Sequence, residues 1–379
     1  MGGPLKLFLV AGEPSGDRLG GALLQGFKDI GAPVTPLGVG GPMMAAHGLS
    51  SLFPYEDLAV MGLAEVLPKY RHLKRRIAQT ARAVAASGAE ALVTIDSPDF
   101  GLRVAKLARA ANPRLKTIHY VAPSVWAWRP GRAARMARVI DHVLALLPFE
   151  PPYMEAAGMT CDFVGHPVVS EPLASETEIA SFRTAHGLTD AKVQLVLPGS
   201  RKSEVTRLAP IFGAALDGID ARLVLPTLPH VRETVASLTA SWPVKPSLID
   251  ASDAAQKRAA FACADAALAA SGTVSLELAA NATPMVIAYD MNWLTRAIMK
   301  RMIRIDTVTL VNLVSETRVV PEFLAENCTP AAIRAGVAAV LQGDDRQTAA
   351  MALTMERLGR GGKAPGIRAA RSILNAVNR

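Results

Sequence analysis

The sequence predicts an α/β protein built from two doubly wound parallel-sheet halves with a helical segment at the C-terminal end. Three observations carry this expectation. Strand-like runs alternate with helical stretches through Val169, a polar passage then breaks the alternation, and a second alternating series follows it. In order, LKLFLVAG leads into RLGGALLQGFKDI, EALVTID into PDFGLRVAKLARAA, and KTIHYVAP into GRAARMARVI, while HVLALLPF and FVGHPVV close the first series. SEPLASETEIASFRTAHGLTDA, polar and acidic, reads as the linker. The second series runs VQLVLPGSR, ARLVLPTLPH, PSLID, ADAALAAS followed by GTVSLELAAN, and TPMVIAY; helices split by GRGGKAPG follow from Thr348. The expected divisions are 1–167, 168–347 and 348–379. Ligands of such sheets sit beyond the carboxyl ends of the strands, so the residues just after each strand matter most.

Half of the 379 residues are apolar, enough to bury a substantial core over two domains. The three cysteines, Cys161, Cys263 and Cys328, lie far apart with no C-x-x-C, which supports neither a disulfide framework nor a zinc knuckle and fits a reducing compartment. The apolar run near the N-terminus ends in Glu13 and Asp17 rather than in a cleavage site and reads as a first strand. No stretch reaches the ~20 uninterrupted apolar residues of a spanning helix, so a soluble or peripheral protein is expected. Lysine and arginine number 41 against 33 acidic residues, a net charge of +8 that favours anionic partners. The basic clusters lack the aromatic interleaving of single-strand binders, and nucleic acid is not expected as a partner.

Several constellations could carry chemistry. In ADAALAASGTVSLELAAN a strand ends near Ser271 and Gly272 and a helix starts near Thr273, exposing backbone N–H groups suited to a diphosphate. Glu277, four residues beyond Thr273 on the same helical face, would then approach a ribose; the plainer reading makes Ser271 an N-cap and Glu277 a solvated acid. Gly199, Ser200 and Arg201 form a second glycine turn after a strand, where Arg201 is either a phosphate clamp or a surface arginine. In EALVTIDSPDFGLR, Asp99 falls in the first turn of a helix and reads as structural. Asp96 ends the strand and is a candidate general base. In AGEPSGD, Glu13 stands at the mouth of the sheet, whereas Ser15 and Asp17 can serve the next helix as cap and first-turn acid. Trp126 and Trp128, two apart in a proline-bounded segment, would share one face of a strand-like backbone, and His166 is either a ligand contact or a hydrogen-bonded hinge. No H-x-x-x-H, H-E-x-x-H or D-x-D occurs, so no metal is expected and leaving-group charge falls to N–H groups and Arg201.

Two stretches have the composition of interfacial helices. In NWLTRAIMKRMIRI, Arg296, Lys300 and Arg304 recur every four residues beside an apolar stripe, and LAVMGLAEVLPKYRHLKRR runs from Val60 and Met61 into bases. Both also suit ordinary solvated faces.

AGEPSGD, GGPMMAAHGL, LAVMGLAEVLP, IDSPDFGLR, HYVAPSVWAWRPGRAARMARVIDHVLALLPFEPPYME, FVGHP, LPGSRKSEV, ASGTVSLELA, TPMVIAY and RVVPEFL, in that order from about residue 5 to 330, closely resemble the lipid-A-disaccharide synthase family. The resemblance implies the GT-B architecture, two Rossmann-like domains facing a cleft, and work on the cytoplasmic face of the Gram-negative inner membrane beside anionic phospholipid. It implies transfer of 2,3-diacylglucosamine from UDP to 2,3-diacylglucosamine 1-phosphate, with a β-1,6 disaccharide and UDP as products and no cofactor. The family's essential aspartate falls on Asp96 and its AGE glutamate on Glu13. The UDP contacts fall on Gly199, Ser200, Arg201, Ser271, Gly272, Thr273, Glu277 and Asn312. Val60, Met61, Trp126, Trp128, Arg296, Lys300 and Arg304 are the expected acceptor, acyl-chain or membrane contacts. The family's L-P-N-L reads LVNL here, SETR replaces a GRE-like sequence, and Asp290 stands where an arginine usually follows the tyrosine. A nucleotide-cofactor oxidoreductase, a UDP-sugar epimerase or other GT-B transferase, and a membrane scaffold that only binds nucleotide sugar are the competing readings. A homo-oligomer is left open.

Overall fold

A computed structural model describes residues 3–58, 63–291, 302, 305–343 and 345–378. The chain forms two compact units, one of residues 1–170 with 361–379 and one of residues 171–360.

In the first unit, strands β1 (Leu5–Ala11), β2 (Val34–Val39), β3 (Ala91–Ile95), β4 (Lys116–Tyr120), β5 (His142–Ala145) and β6 (Thr160–Phe163) form a parallel sheet in the order β2-β1-β3-β4-β5-β6. Helices pack on both faces. Strands buried on both sides are mostly apolar, which is why LFLVA and ALVTI read as near-continuous hydrophobic runs, the buried Thr94 hydrogen-bonding His119. β1 is followed outward by β2, and the chain then crosses to the other side of β1 to lay down β3. The order therefore reverses between β1 and β3, where Ala11 pairs with Ile95. A crevice opens at the carboxyl ends of strands at such a point.

The second unit repeats the plan with β7 (Val193–Leu197), β8 (Arg222–Thr227), β9 (Ser247–Asp250), β10 (Ala266–Ala269), β11 (Met285–Tyr289) and β12 (Glu322–Leu324), ordered β12-β11-β10-β7-β8-β9 and again parallel. Its reversal lies between β7 and β10, where Leu197 pairs with Ala269.

Two expectations need correction. The passage from residue 170 is not a bare linker: it holds the helix Glu176–Ala185, started by a capping box between Ser175 and Glu178 and tied to the next helix layer by Arg258 at 3.1 Å from Glu178. The stretch 348–379 is not a separate segment. The helix Asp345–Arg357 stays with the second unit, whereas the helix Pro365–Val377 returns to the first. There Ala369, Ala370 and Ile373 join the core formed by Leu19, Leu23, Phe27, Leu7 and Leu9. Gly26 and Gly366 allow the close approach, since a Cβ on Gly26 would lie 2.2 Å from the Gly366 carbonyl oxygen. Strands β2 and β12 were not anticipated.

No helix among the described residues is long and apolar enough to cross a membrane. Val60, Met61, Arg296, Lys300 and Arg304 lie outside the described residues.

Candidate functional site

At the reversal point of the first sheet, β1 runs through Gly12 into Glu13, the N-cap of the helix Pro14–Asp29, and β3 runs through Asp96 into Ser97, the N-cap of the helix Pro98–Ala111. Asp96 (φ 53°) and Ser97 (φ 37°) are both left-handed. Two consecutive non-glycine residues in this region cost of order 1–3 kcal/mol each and persist only where their surroundings hold them. Here the Asp96 N–H donates to the Tyr120 carbonyl at 2.9 Å. The Asp96 carboxylate accepts from the Ser97 N–H (3.0 Å) and the Ser15 hydroxyl (2.9 Å), and the Ser97 hydroxyl donates to Glu13 Oε1 (3.1 Å). Glu13 and Asp96 thus meet in one hydrogen-bonded cluster.

Asp17 has a different task. Its buried carboxylate accepts from the N–H groups of Gly41 (2.8 Å), Met43 (2.9 Å) and Met44 (3.0 Å), capping the short helix Pro42–Ala45 from outside. Asp99 is exposed and lies 3.5 Å from Arg132, in keeping with a structural reading.

Trp126 and Trp128 do not share a strand face. Residues 124–128 form a turn in which the N–H groups of Ala127 and Trp128 both donate to the Ser124 carbonyl. Trp126 packs edge-on against Phe149 and donates its indole N–H to Glu150 at 3.2 Å, while Trp128 is covered by the Arg129 guanidinium. Glu150 is buried, and burial pushes its carboxyl up to about 7 despite N–H donors from Leu147, Trp126 and Leu146. His166 accepts from the Val168 N–H, and burial followed by the Arg18 charge pushes it down to about 4.

At the reversal point of the second sheet lies a cavity of about 450 Å³, within the range of small-molecule sites. Gly199, Ser200 and Arg201 after β7 and Ser271, Gly272 and Thr273 after β10 line it, together with Glu277, Lys257, Glu204 and Phe261. Gly199 is required by its φ of 110° and by contact: a Cβ there would lie 2.6 Å from the Glu204 Cβ. Glu204 accepts from the N–H groups of Ser200 and Arg201 and pairs with the Arg201 guanidinium at 3.2 Å, and the Ser200 carbonyl accepts from His230 Nε2 at 2.9 Å. Space around Gly272 is open. Glu277 pairs with Lys257 at 2.5 Å. Both cations lining the cavity are therefore already held by carboxylates. The helix starts at Val274, with Thr273 as its N-cap.

Asn312 is not part of this lining. It is buried; its amide group donates to the Thr307 hydroxyl (3.2 Å) and the Val320 carbonyl (3.0 Å), and its carbonyl oxygen accepts from the Val320 N–H (3.0 Å). Through these bonds the Asn312 side chain ties residues 307–322 together. Asp290, in the position of the family's arginine, pairs with Arg207 at 3.0 Å. Among the described residues no group of three or more His, Cys, Asp or Glu side chains has an arrangement that could hold a metal ion.

Sequence reasoning missed Ser97, Glu204 and Lys257. Glu204 had a local signal, because a glutamate three residues after an N-cap is the capping-box position. Lys257 had none: it lies 20 residues before Glu277 on another helix.

A family model described as lipid-A-disaccharide synthetase matches residues 7–372. The lipid-A-disaccharide synthase of Ruegeria pomeroyi is 62% identical over 384 residues, covering 98% of this chain and 96% of that protein. That of Rhodospirillum centenum is 48% identical, with 99% and 96% covered. Among solved structures, UDP-GlcNAc 2-epimerase from Neisseria meningitidis bound to UDP-GlcNAc superposes with a TM-score of 0.64 at 12% identity, covering 98% of each chain. The calicheamicin glycosyltransferase does so at 0.59 and 14%, covering 99% of each. Likenesses at such low identity show the shared GT-B fold alone.

Proposed function

Because the chain belongs to the lipid-A-disaccharide synthase family, we propose that it transfers 2,3-diacylglucosamine from UDP-2,3-diacylglucosamine to 2,3-diacylglucosamine 1-phosphate, forming the β-1,6-linked disaccharide 1-phosphate and releasing UDP. The chain is a UDP-sugar-dependent glycosyltransferase of GT-B fold. The observation that carries the substrate assignment is identity of 62% over 98% of this chain and 96% of the relative.

The residues divide the work. The donor's diphosphate lies against the Gly199–Arg201 and Ser271–Thr273 loops, where Arg201 and backbone N–H groups offset the charge that develops as UDP departs. Glu277, held by Lys257, faces the ribose hydroxyls. Asp96 takes the proton of the acceptor's 6-hydroxyl as that oxygen attacks the anomeric carbon opposite the leaving group. The stereochemistry inverts through an oxocarbenium-like state, with a sugar alcohol in the place water takes in inverting hydrolysis. Glu13 supports Asp96 through Ser97. One base suffices and no step requires a metal ion.

Both substrates carry acyl chains, and the protein works peripherally on the cytoplasmic face of the inner membrane. The net charge of +8 and the exposed Arg71, Lys74 and Arg75 on the helix Leu63–Ser87 favour anionic lipid. In this reading Val60, Met61, Arg296, Lys300 and Arg304, which lie outside the described residues, are further contacts for acyl chains or lipid.

The test is incubation with both lipid substrates in the presence of chelator, followed by mass analysis. The disaccharide 1-phosphate is expected, with UDP released only when the acceptor is present. UDP release without acceptor, or a donor epimer as product, would instead make the protein a different GT-B enzyme.

A further inference from the structure

We propose that Ser97 and Ser15 are positioning residues for the transfer reaction, locking the Asp96 and Glu13 carboxylates into a single oriented unit. The proposal rests on Asp96 being the base.

Glu13 and Ser97 both occupy N-cap positions, and neither makes a side-chain cap to its own helix. A serine at this position ordinarily accepts from the N–H two or three residues on. Ser97 forgoes that bond and donates across the sheet to Glu13, 84 residues away in sequence. Ser15, in the first turn of the helix that Glu13 caps, reaches back across the same gap to Asp96. The loop after β1 and the loop after β3 are therefore linked twice, by a crossed pair of serine–carboxylate hydrogen bonds. Gly12 lies beside this pair, and a Cβ there would meet Leu58 first, at 3.0 Å from its Cβ, and the Ser97 hydroxyl at 3.4 Å.

The geometry has a chemical consequence. An ionised carboxylate has about four acceptor positions. Asp96 spends one on Oδ1 with the Ser97 N–H and one on Oδ2 with the Ser15 hydroxyl. The plane of the carboxylate is fixed and lone pairs remain for an alcohol proton. The left-handed backbone at Asp96 and Ser97 is strained for serine, and the local cap is forgone as well. Neither expense stabilises the helix; both keep the carboxylates oriented.

Ser97→Gly separates positioning from structure. Glycine relieves the positive φ, so the melting temperature should hold or rise, while loss of the hydroxyl should lower kcat about tenfold with KM for both substrates within about twofold. Ser15→Ala should lower kcat similarly with KM again within about twofold, and Ser15→Thr, which keeps the hydroxyl, should recover most of the turnover. Wild-type kcat in Ser97→Gly and Ser15→Ala, or losses confined to KM, would overturn the proposal. Should Ser97→Gly fail to fold, the Ser15→Ala and Ser15→Thr pair decides in the same terms. Asp96→Asn tells the two levels apart. Full turnover in that variant removes the base and the positioning role with it, whereas lost turnover alongside unaffected serine variants keeps the base and removes only the positioning.

Discussion

Lys257 and Glu277 form an ion pair inside the cavity of the second unit, 2.5 Å apart, although they come from different helices. The glutamate that faces the ribose in the proposed function is thus oriented before any nucleotide arrives. Lys257 also lies 5.3 Å from the centre of the Phe261 ring, which confines its side chain further. Lys257→Met should weaken UDP binding about five- to tenfold, the worth of one oriented charge-assisted contact. Titration calorimetry with UDP measures this, and unchanged affinity would remove Lys257 from the donor site.

Asp17 satisfies three backbone N–H groups with one buried carboxylate. Asp17→Ala should destabilise the protein by about 3 kcal/mol, because it leaves those donors without partners in a buried place. Urea denaturation reads the loss, and Asp17→Asn should recover part of it through its single remaining acceptor oxygen.

The helices Pro14–Asp29 and Pro365–Val377 touch through glycine. A Cβ on Gly26 would sit 2.2 Å from the Gly366 carbonyl oxygen, and one on Gly366 would sit 2.1 Å from the Ala22 carbonyl oxygen. Both neighbours are backbone and cannot turn aside. Gly26→Ala should cost about 1–3 kcal/mol by forcing the helices apart, in spite of alanine's better helix propensity. A thermal melt that stays in place or rises would contradict it.

Stability should peak near pH 6.5 through three groups of the first unit. His119 is fully buried, and burial followed by the Arg132 charge pushes it from 6.5 to about 4; His166 is pushed to about 4 by burial and then Arg18. A folded value below the unfolded one means that each histidine's contribution is present above pH 6.5 and is lost as pH falls toward 4. Glu150 has the opposite sign. Its folded value of about 7 exceeds 4.5, so its contribution is full below pH 4.5 and is lost as pH rises through 7. Two histidines outweigh one glutamate between pH 4.5 and 6.5, and only Glu150 acts above that. The urea midpoint should therefore climb from pH 4.5 to 6.5 and then sag slightly. Glu150→Gln should remove the sag and leave a plateau past pH 7.

Much of this architecture was legible in the order of residues. Strands such as LFLVA and ALVTI are buried on both faces and announce themselves as apolar runs. Strand β2 did not, since VTPLGV carries Pro36 and Gly38; it lies at the sheet edge, where a missing N–H is tolerated. β12, three residues long at the other sheet's edge, had too little pattern to detect. The loops at the second reversal point were found because glycine turns after strands mark them, and those at the first because Glu13 and Asp96 end apolar runs. What those loops do to one another was not: the Ser97–Glu13 and Lys257–Glu277 contacts join residues 84 and 20 positions apart, and no local spacing encodes them. Trp126 and Trp128 were placed on one face by assuming an extended backbone that the Ser124 turn replaces. Asn312 was assigned by resemblance; it is absent from the lining of the second unit's cavity, and its amide bonds to Thr307 and Val320.

The return of the last helix to the first unit makes residues 171–360 an insertion within that unit. A ribosome delivers Ala369, Ala370 and Ile373 after the whole of the second unit, so the half whose synthesis starts first cannot complete its core until the other has been made. Until those residues emerge, Leu19, Leu23 and Phe27 wait without their covering helix. A nascent chain stalled before residue 361 should accordingly hold a protease-resistant second unit beside a cleavable first one.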